Sequence, residues 1–106
     1  MSSATFHHYG VPTKADLENG TYMEDLKICV TDCESHPYRI EFIKFDADCS
    51  MPDILKNKTH AAFIVENLDD AIEGKNVVVE PFDVNDTLRI AFILDGDALI
   101  ELMQTS

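Results

Sequence analysis

Two short sequence patterns occur once in each half of the chain, in the same order. The first is a histidine followed by any residue, a small residue and a hydrophobic one, at His8-Tyr9-Gly10-Val11 and His60-Ala61-Ala62-Phe63. The second is Ile-Glu followed by two hydrophobic residues, at Ile40-Glu41-Phe42-Ile43 and Ile100-Glu101-Leu102-Met103. Internal self-similarity of this kind is the signature of a duplicated structural unit. The chain is therefore predicted to consist of two similar halves with the order His, Glu, His, Glu.

The segment 59–72 predicts a strand followed by a short helix. Its first half is rich in β-branched, aromatic and small residues and lacks Gly and Pro. Because side chains alternate along a strand, His60 and Ala62 share a face, and the methyl group of Ala62 is expected to leave space beside the imidazole. Asn67 is a good N-cap for the helix, and Gly74 provides a stop.

The remaining chain predicts further strands and turns. Residues 13–25 are expected to form turns and at most a short helix, 33–37 a hairpin connection, and 81–86 a loop. The segment 46–58 is a polar connector with room for one helical turn, and Asp95-Gly96-Asp97 is a strong hairpin turn. The predicted strands, apart from the one at 60–65, are residues 6–11, 26–31, 38–45, 76–80, 88–94 and 98–103.

Length and charge restrict the class of protein. A chain of 106 residues is long enough for one domain with a modest core. Its net charge of −12, from 20 acidic and 8 basic residues, repels phosphate backbones and anionic lipid, so nucleic-acid and membrane partners are not expected. No apolar run has the length of a membrane span, and the first residues lack signal-peptide character. The three cysteines, Cys29, Cys33 and Cys49, are an odd number without zinc-ribbon spacing, which favours a reducing, cytoplasmic compartment.

Taken together, the repeated patterns and the segment 60–72 resemble the vicinal oxygen chelate superfamily, which includes glyoxalase I, methylmalonyl-CoA epimerase, bleomycin-resistance proteins and extradiol dioxygenases. The resemblance extends from about residue 8 to residue 101. It implies an α+β fold of two βαβββ modules in a single domain, with module 1 at about 5–46, a connector at 47–58 and module 2 at about 59–104. His60 and Glu101 are 41 positions apart but His8 and Glu41 only 33, so the first module is expected to be shortened between residues 12 and 26.

The resemblance also implies a metal site. Metal ligands in that superfamily lie on the first and last strands of each module, which correspond here to His8, Glu41, His60 and Glu101. Two imidazoles and two carboxylates suit one divalent ion, such as Zn, Ni, Co, Mn or Fe. Two coordination positions would remain for the vicinal oxygens of a substrate, and Glu101 or Glu41 would be the catalytic base.

Two functions follow from the resemblance. One is a glyoxalase-like, metal-dependent lyase or isomerase that acts on a small α-oxygenated carbonyl compound through an enolate-like intermediate. The other is a non-catalytic binding protein that holds a small molecule in the same cleft, as antibiotic-binding members do. A ring-cleaving dioxygenase is less favoured because those enzymes use two His and one Glu on iron and are usually much longer. Small members often form homodimers, so a homodimer is expected.

Other polar residues have simpler interpretations. His7 alternates with His8 and is expected on the opposite face of its strand, so its replacement should have little effect. Arg39 and Arg89 are expected to form ion pairs, although Arg39 shares a face with Glu41 and would also suit an anionic substrate. His36 lies in a predicted turn and is expected to be exposed. Glu41 and Glu101 could themselves be ordinary solvated strand residues.

Overall fold

The computed structural model describes residues 3–106, which form two compact units. The N-terminal unit is His8–Thr59, and the C-terminal unit combines residues 3–7 with His60–Ser106. In chain order the elements are β1 (Ala4–Pro12), β2 (Thr21–Met23), β3 (Ile28–Val30), a 3₁₀ helix (Cys33–Ser35), β4 (Ile40–Phe45), α1 (Asp53–Asn57), β5 (His60–Val65), α2 (Leu68–Ile72), β6 (Asn76–Asn85), β7 (Leu88–Asp95) and β8 (Ala98–Thr105).

Strands dominate both units, and each of the two α-helices has only five residues. Both units contain parallel and antiparallel pairs of strands. The protein is thus sheet-dominated, with a small helical contribution. Within residues 3–106, no helix has the length and apolar character needed to cross a bilayer.

The C-terminal unit runs β5, α2, β6, β7, β8 along the chain, but its strands are ordered β5-β8-β7-β6 in the sheet. Strand β5 pairs with β8 in parallel, whereas β8 with β7 and β7 with β6 are antiparallel. The first and last strands of the unit are therefore neighbours. Residues 4–7 of β1 also belong to this unit, where the rings of Phe6 and Phe63 meet edge to face with centroids 5.8 Å apart.

Helix α2 covers one face of this sheet. Leu68, at the start of the helix, has no measurable exposed surface and packs in a cluster of buried apolar residues, namely Val65, Leu68, Ala91, Ile93 and Leu102. Ala71 and Ile72 on the next turn pack against the same cluster. Removal of this apolar area from water is the main driving force for docking a helix too short to be stable alone.

The opposite face of the C-terminal sheet is also buried. It carries the apolar side chains of Ala62, Ile90, Phe92, Leu99 and Met103, and among them His60 and Glu101. A sheet buried on both faces requires nearly continuous apolar runs rather than alternation, which explains the sequence Ile-Ala-Phe-Ile at 90–93. Ala62 has no measurable exposure, so its methyl group lies within this buried face.

The predicted ends of α2 are confirmed. The Asn67 side chain accepts a hydrogen bond from the backbone N–H of Asp70, and Asp69 and Asp70 lie in the first turn, where the helix dipole favours negative charge. Gly74 follows the helix at φ +74°. The predicted hairpin turn is also confirmed, because Asp95 pairs with Ala98 and Gly96 adopts a φ of +59°.

The predicted loop at 81–86 is wrong, since β6 continues through Pro81 to Asn85. Proline has no N–H to donate and therefore disrupts a central strand. Strand β6 lies at the edge of its sheet, where a proline is tolerated. The pairing of β6 with β7 shifts register between Val77 and Val79, between Val79 and Phe82, and between Asp83 and Asn85. These irregularities let the strand absorb a residue that cannot donate to the ladder.

The N-terminal unit has the strand order β2-β3-β4-β1. Strand β1 pairs with β4 in parallel, and the other two pairs are antiparallel. Its first and last strands are again neighbours. Strands β2 and β3 have only three residues each, whereas β6 and β7 have ten and eight.

No helix lies between β1 and β2, in the region where the sequence predicts the shortening. The expected turns are present, but β2 was missed because three residues are too few for a periodic pattern. The connection is held by an ion pair between Lys44 of β4 and Asp16, which lowers the pKa of the Asp16 carboxyl, mainly through a hydrogen bond. A Cβ at Gly20 would lie 2.4 Å from the sulfur of Cys29, so a larger residue here would require the Cys29 side chain to shift.

Segments expected as connections acquire local structure. The predicted connector at 47–58 lies in the N-terminal unit and contains α1, whose Leu55 is buried. The predicted hairpin connection at 33–37 holds the 3₁₀ helix, and the Asp32 side chain caps it by accepting from the N–H of Glu34. The three cysteines are free, and Cys33 and Cys49 are buried.

Candidate functional site

His60 and Glu101 form a buried pair in the C-terminal unit. His60 begins β5 and Glu101 lies in the middle of β8. The parallel register pairs Ala62 with Glu101, so the glutamate lies beside the strand position that shares a face with the histidine. The imidazole Nε2 is 3.0 Å from the carboxylate Oε1, a hydrogen-bond distance at which the ring N–H donates. His60 is 3% exposed and Glu101 7%.

Phe92 completes the surroundings of this pair. It pairs with Glu101 across the antiparallel β7–β8 ladder, and its ring meets the His60 imidazole edge to face with centroids 5.1 Å apart. The imidazole thus has two contacts: a hydrogen bond to the Glu101 carboxylate and an edge-to-face contact with the Phe92 ring. Burying an ionisable pair within an apolar face costs desolvation free energy. Such a pair is therefore better explained by a function than by a contribution to stability.

His8 and Glu41 form the corresponding pair in the N-terminal unit. His8 lies in β1 and Glu41 in β4, and the parallel register pairs Gly10 with Glu41. The His8 Nε2 is 3.6 Å from the Glu41 Oε1. The His8 side chain is 4% exposed, whereas that of Glu41 is 23% exposed. Glu41 is therefore the more accessible of the two glutamates, because the Glu101 side chain is 9% exposed.

The repeat seen in the sequence corresponds to a repeat in strand pairing. In each unit the residue two positions after the histidine, Gly10 or Ala62, pairs with the glutamate of a parallel neighbour. This register, rather than proximity in sequence, brings each histidine to its glutamate. The structure therefore joins the four predicted ligand residues as two pairs, one in each unit.

The spacing within each pair suits a divalent ion. Bonds of about 2.1 Å place adjacent ligand atoms about 3.0 Å apart around an octahedral ion and about 3.4 Å apart around a tetrahedral one. The 3.0 Å separation of the His60–Glu101 pair and the 3.6 Å separation of the His8–Glu41 pair lie near these values. The ring nitrogen that donates to Glu101 would become the ligand atom after it releases its proton.

The predicted ion pairing of Arg89 is confirmed. Its Nη1 lies 3.1 Å from an Asp69 carboxylate oxygen, and its Nε lies 3.9 Å from one of Asp83. Arg39 lies just before β4, not within it, and has a φ of +58°, which a bulky residue rarely adopts. His7 is half-buried, and the burial of His8 and Gly10 on either side of exposed Tyr9 agrees with the predicted alternation in β1.

The expectation that His36 is exposed is wrong. His36 is half-buried, and its Nδ1 accepts hydrogen bonds from the backbone N–H groups of Tyr38 at 3.1 Å and Ile40 at 3.4 Å. Its ring also meets that of Phe42 edge to face. The imidazole therefore organises the turn before β4, as Asn or Asp side chains commonly do.

Two neighbours of the pairs were not identified from the sequence. Phe92 looks like any apolar residue of a buried strand, and only the β7–β8 register reveals its contact with His60. Cys33 is buried, and this burial raises the pKa of its thiol, with the Glu41 carboxylate adding to the rise and Arg39 opposing it. No spacing signal in the sequence connects Cys33 with Glu41.

Comparison with protein-family models and with curated proteins gives no match. The function must therefore be inferred from the two histidine–glutamate pairs and their surroundings.

Replacing Glu101 with Ala should destabilise the metal-free protein by about 2 kcal/mol, because His60 loses a buried hydrogen-bond partner. Glu101→Gln keeps an acceptor oxygen and should cost less than about 1 kcal/mol. Glu80→Ala, at an exposed position of β6, is the control and should stay within about 0.5 kcal/mol of the parent. Urea unfolding followed by circular dichroism measures all three. Equal effects of Glu101→Ala and Glu80→Ala would mean that burial of His60 does not depend on its hydrogen bond to Glu101.

Proposed function

We propose that the chain is a metal-dependent protein of the vicinal oxygen chelate type, in which His8, Glu41, His60 and Glu101 hold one divalent ion. The observation that carries the proposal is the equivalence of the two pairs. Each unit places one histidine and one glutamate on its parallel first and last strands, in the same register. In this proposal the two units correspond to two βαβββ modules, the N-terminal one lacking its helix.

The donor set supports a first-row divalent ion such as Zn, Ni, Co, Mn or Fe. Neutral imidazole and carboxylate suit these ions, and burial of His60 and Glu101 provides the dry environment in which such coordination is strong. Phe92 would limit rotation of the His60 ring and so keep its Nε2 directed at the same point. When bound, the ion would supply Lewis-acid stabilisation of negative charge on two substrate oxygens.

The proposed reaction is proton removal from a carbon next to the carbonyl of a small α-oxygenated compound, leading to lyase or isomerase chemistry. A general base must reach the proton that it removes. The Glu41 side chain is 23% exposed and that of Glu101 is 9% exposed. We therefore assign proton transfer to Glu41. Glu101, the buried partner of His60, serves as a metal ligand only.

Binding without turnover is the second candidate function, and the small N-terminal unit favours it. Strands β2 and β3 have three residues each, and the chain between β1 and β2 forms no helix. This unit therefore has little structure with which to exclude water from a reacting substrate, and exclusion of water is what a proton-transfer enzyme needs. A protein that only holds a small molecule is less sensitive to this requirement.

Metal binding can be measured by elemental analysis of protein purified without added metal and then supplied with zinc, nickel or manganese. One ion per chain is expected. Glu101→Gln should weaken its affinity by on the order of a hundredfold, because a carboxylate ligand becomes a neutral amide. The matched control, Glu66→Gln at an exposed position after β5, and the His7→Gln variant should both retain the ion.

Three results would contradict the proposal. Absence of metal after all three ions are supplied would exclude a metal-dependent function. Two ions per chain would mean that each pair binds separately. Equal loss in the His7→Gln and Glu101→Gln variants would mean that the assignment of strand faces is wrong.

Exchange of carbon-bound hydrogen separates catalysis from binding. Dihydroxyacetone in D₂O, followed by proton NMR, should lose its carbon-bound proton signal in the presence of the metal-loaded protein. Because Glu41 is also a proposed ligand, Glu41→Gln is assayed with enough added metal to keep the site loaded, and it should then slow this exchange by at least about a hundredfold, as expected for loss of a general base. Line broadening of the ligand signal without exchange would favour the binding protein instead.

We also propose that the chain forms a homodimer. Tyr9, Tyr22 and Tyr38 of the N-terminal unit are large hydrophobic residues that are 46%, 52% and 74% exposed. Aromatic side chains at such exposure are enriched at protein interfaces. Multi-angle light scattering should give twice the 11.9 kDa chain mass at high concentration, and a monomer mass at every dilution would exclude the dimer.

A further inference from the structure

The N-terminal unit contains a pocket of about 320 Å³ beyond the carboxyl ends of β1 and β4. Pro12, the last residue of β1, and Phe45, the last residue of β4, provide its apolar wall. Lys56 in α1 and Thr59 after that helix line another part. A volume of this size lies at the lower end of the range for small-molecule sites.

The polar lining of this pocket is basic, in contrast to the protein as a whole. Lys14 and Lys56 line it together with the hydroxyl-bearing residues Thr13 and Thr59. The chain has 20 acidic residues and 8 basic ones, yet no carboxylate side chain belongs to the lining, while two of the eight basic residues do. Salt largely screens charges that are more than about 10 Å away, so the nearby ammonium groups determine the local potential.

Lys56 is held at the pocket wall by a specific contact. Its Nζ donates a hydrogen bond of 2.6 Å to the backbone carbonyl of Cys49, whose own thiol donates to the carbonyl of Leu26 at 3.2 Å. Lys56 is half-buried and Cys49 is buried. The ammonium has three N–H donors, and this bond uses one of them. The position of the charge is thus set before any ligand arrives.

Lys14 is positioned through its neighbour in the chain. The backbone N–H of Thr13 donates to the carbonyl of Ile43 in β4 at 2.8 Å, and the Thr13 hydroxyl accepts from the N–H of Ala15 at 3.1 Å. These bonds fix the backbone on both sides of Lys14. The Lys14 side chain itself is exposed and can move toward a ligand.

The two pocket lysines also differ from other lysines of this unit. Lys27 pairs with Asp48 and Lys44 with Asp16. Among residues 3–106, the ion pairs do not include Lys14 or Lys56. Lys56 still acts on one carboxylate, because its charge contributes to the lowered pKa of Asp48, whose ion pair is with Lys27. In a protein with such an excess of carboxylates, two lysines that line one pocket and form no ion pair themselves suit an external anion.

We propose that this pocket binds a small organic anion. A phosphate-ester or carboxylate group would lie between the ammonium groups of Lys14 and Lys56, and an apolar part would rest against Phe45 and Pro12. Lysine binds phosphate and carboxylate as a point charge, and the threonine hydroxyls can donate further hydrogen bonds. The site is separate from the metal proposal, since none of its lining residues is a proposed ligand.

The test is a titration of ¹⁵N-labelled, metal-free protein followed by amide chemical shifts. Phenyl phosphate and benzoate distinguish the two anionic groups, phenol is the neutral control, and inorganic phosphate lacks the apolar part. At least one of the two organic anions should cause saturable shifts at Thr13, Lys56 and Thr59. Phenol should cause none there, and inorganic phosphate should bind more weakly.

Variants locate the site. Lys14→Gln should weaken binding of the organic anion about tenfold, as expected for loss of one charge-assisted contact. Because Lys14 is exposed, this variant should retain the parent spectrum elsewhere. Lys56→Gln should weaken binding at least as much, provided that its spectrum stays dispersed. Lys75→Gln, an exposed lysine of the C-terminal unit, is the matched control and should leave the affinity unchanged.

Several outcomes would overturn the proposal. Shifts that do not saturate up to the solubility limit of both organic anions would exclude a site. Equal weakening in the Lys14→Gln and Lys75→Gln variants would indicate general charge attraction. Inorganic phosphate binding as tightly as phenyl phosphate would exclude the apolar contact. None of these outcomes bears on metal binding by the four His and Glu residues, which is measured separately.

Discussion

Parallel pairing between the first and last strands of each unit is the constraint on which the rest of the structure depends. In an antiparallel meander, neighbours in sequence are neighbours in space, but β5 and β8 are separated by the whole of the C-terminal unit. Their pairing places α2 on one face and His60 beside Glu101 on the other. The same pairing of β1 with β4 places His8 beside Glu41.

Features governed by local chemistry could be predicted from the sequence. The Asn67 cap, the Gly96 turn and the strand–helix unit at 60–72 depend on residues within a few positions of each other. The sequence also singles out the four residues of the two histidine–glutamate pairs, although their contacts are long-range, because the repeat carries information about register; it predicts them as ligands of one ion, not as two pairs. What a repeat cannot supply is the packing around each pair, and so the role of Phe92 was missed.

Features that depend on position within a sheet could not be predicted. Pro81 is compatible with a strand only because β6 is an edge strand, and edge position is a property of the assembled sheet. His36 lies in a segment with the composition of an exposed turn, yet its Nδ1 accepts backbone hydrogen bonds from Tyr38 and from Ile40, the first residue of β4.

The parallel first-to-last pairing has a consequence for how each pair comes into existence. Contacts between residues far apart in sequence require closure of a long loop, and they tend to form late in folding. His60 and Glu101 are 41 positions apart, so they meet only when β8, close to the end of the chain, has joined the sheet. A group assembled from two such strands exists only in the completed unit. Any ligand that bridges β5 and β8 would therefore bind the native state alone, and it would oppose separation of the two strands whose pairing closes the unit.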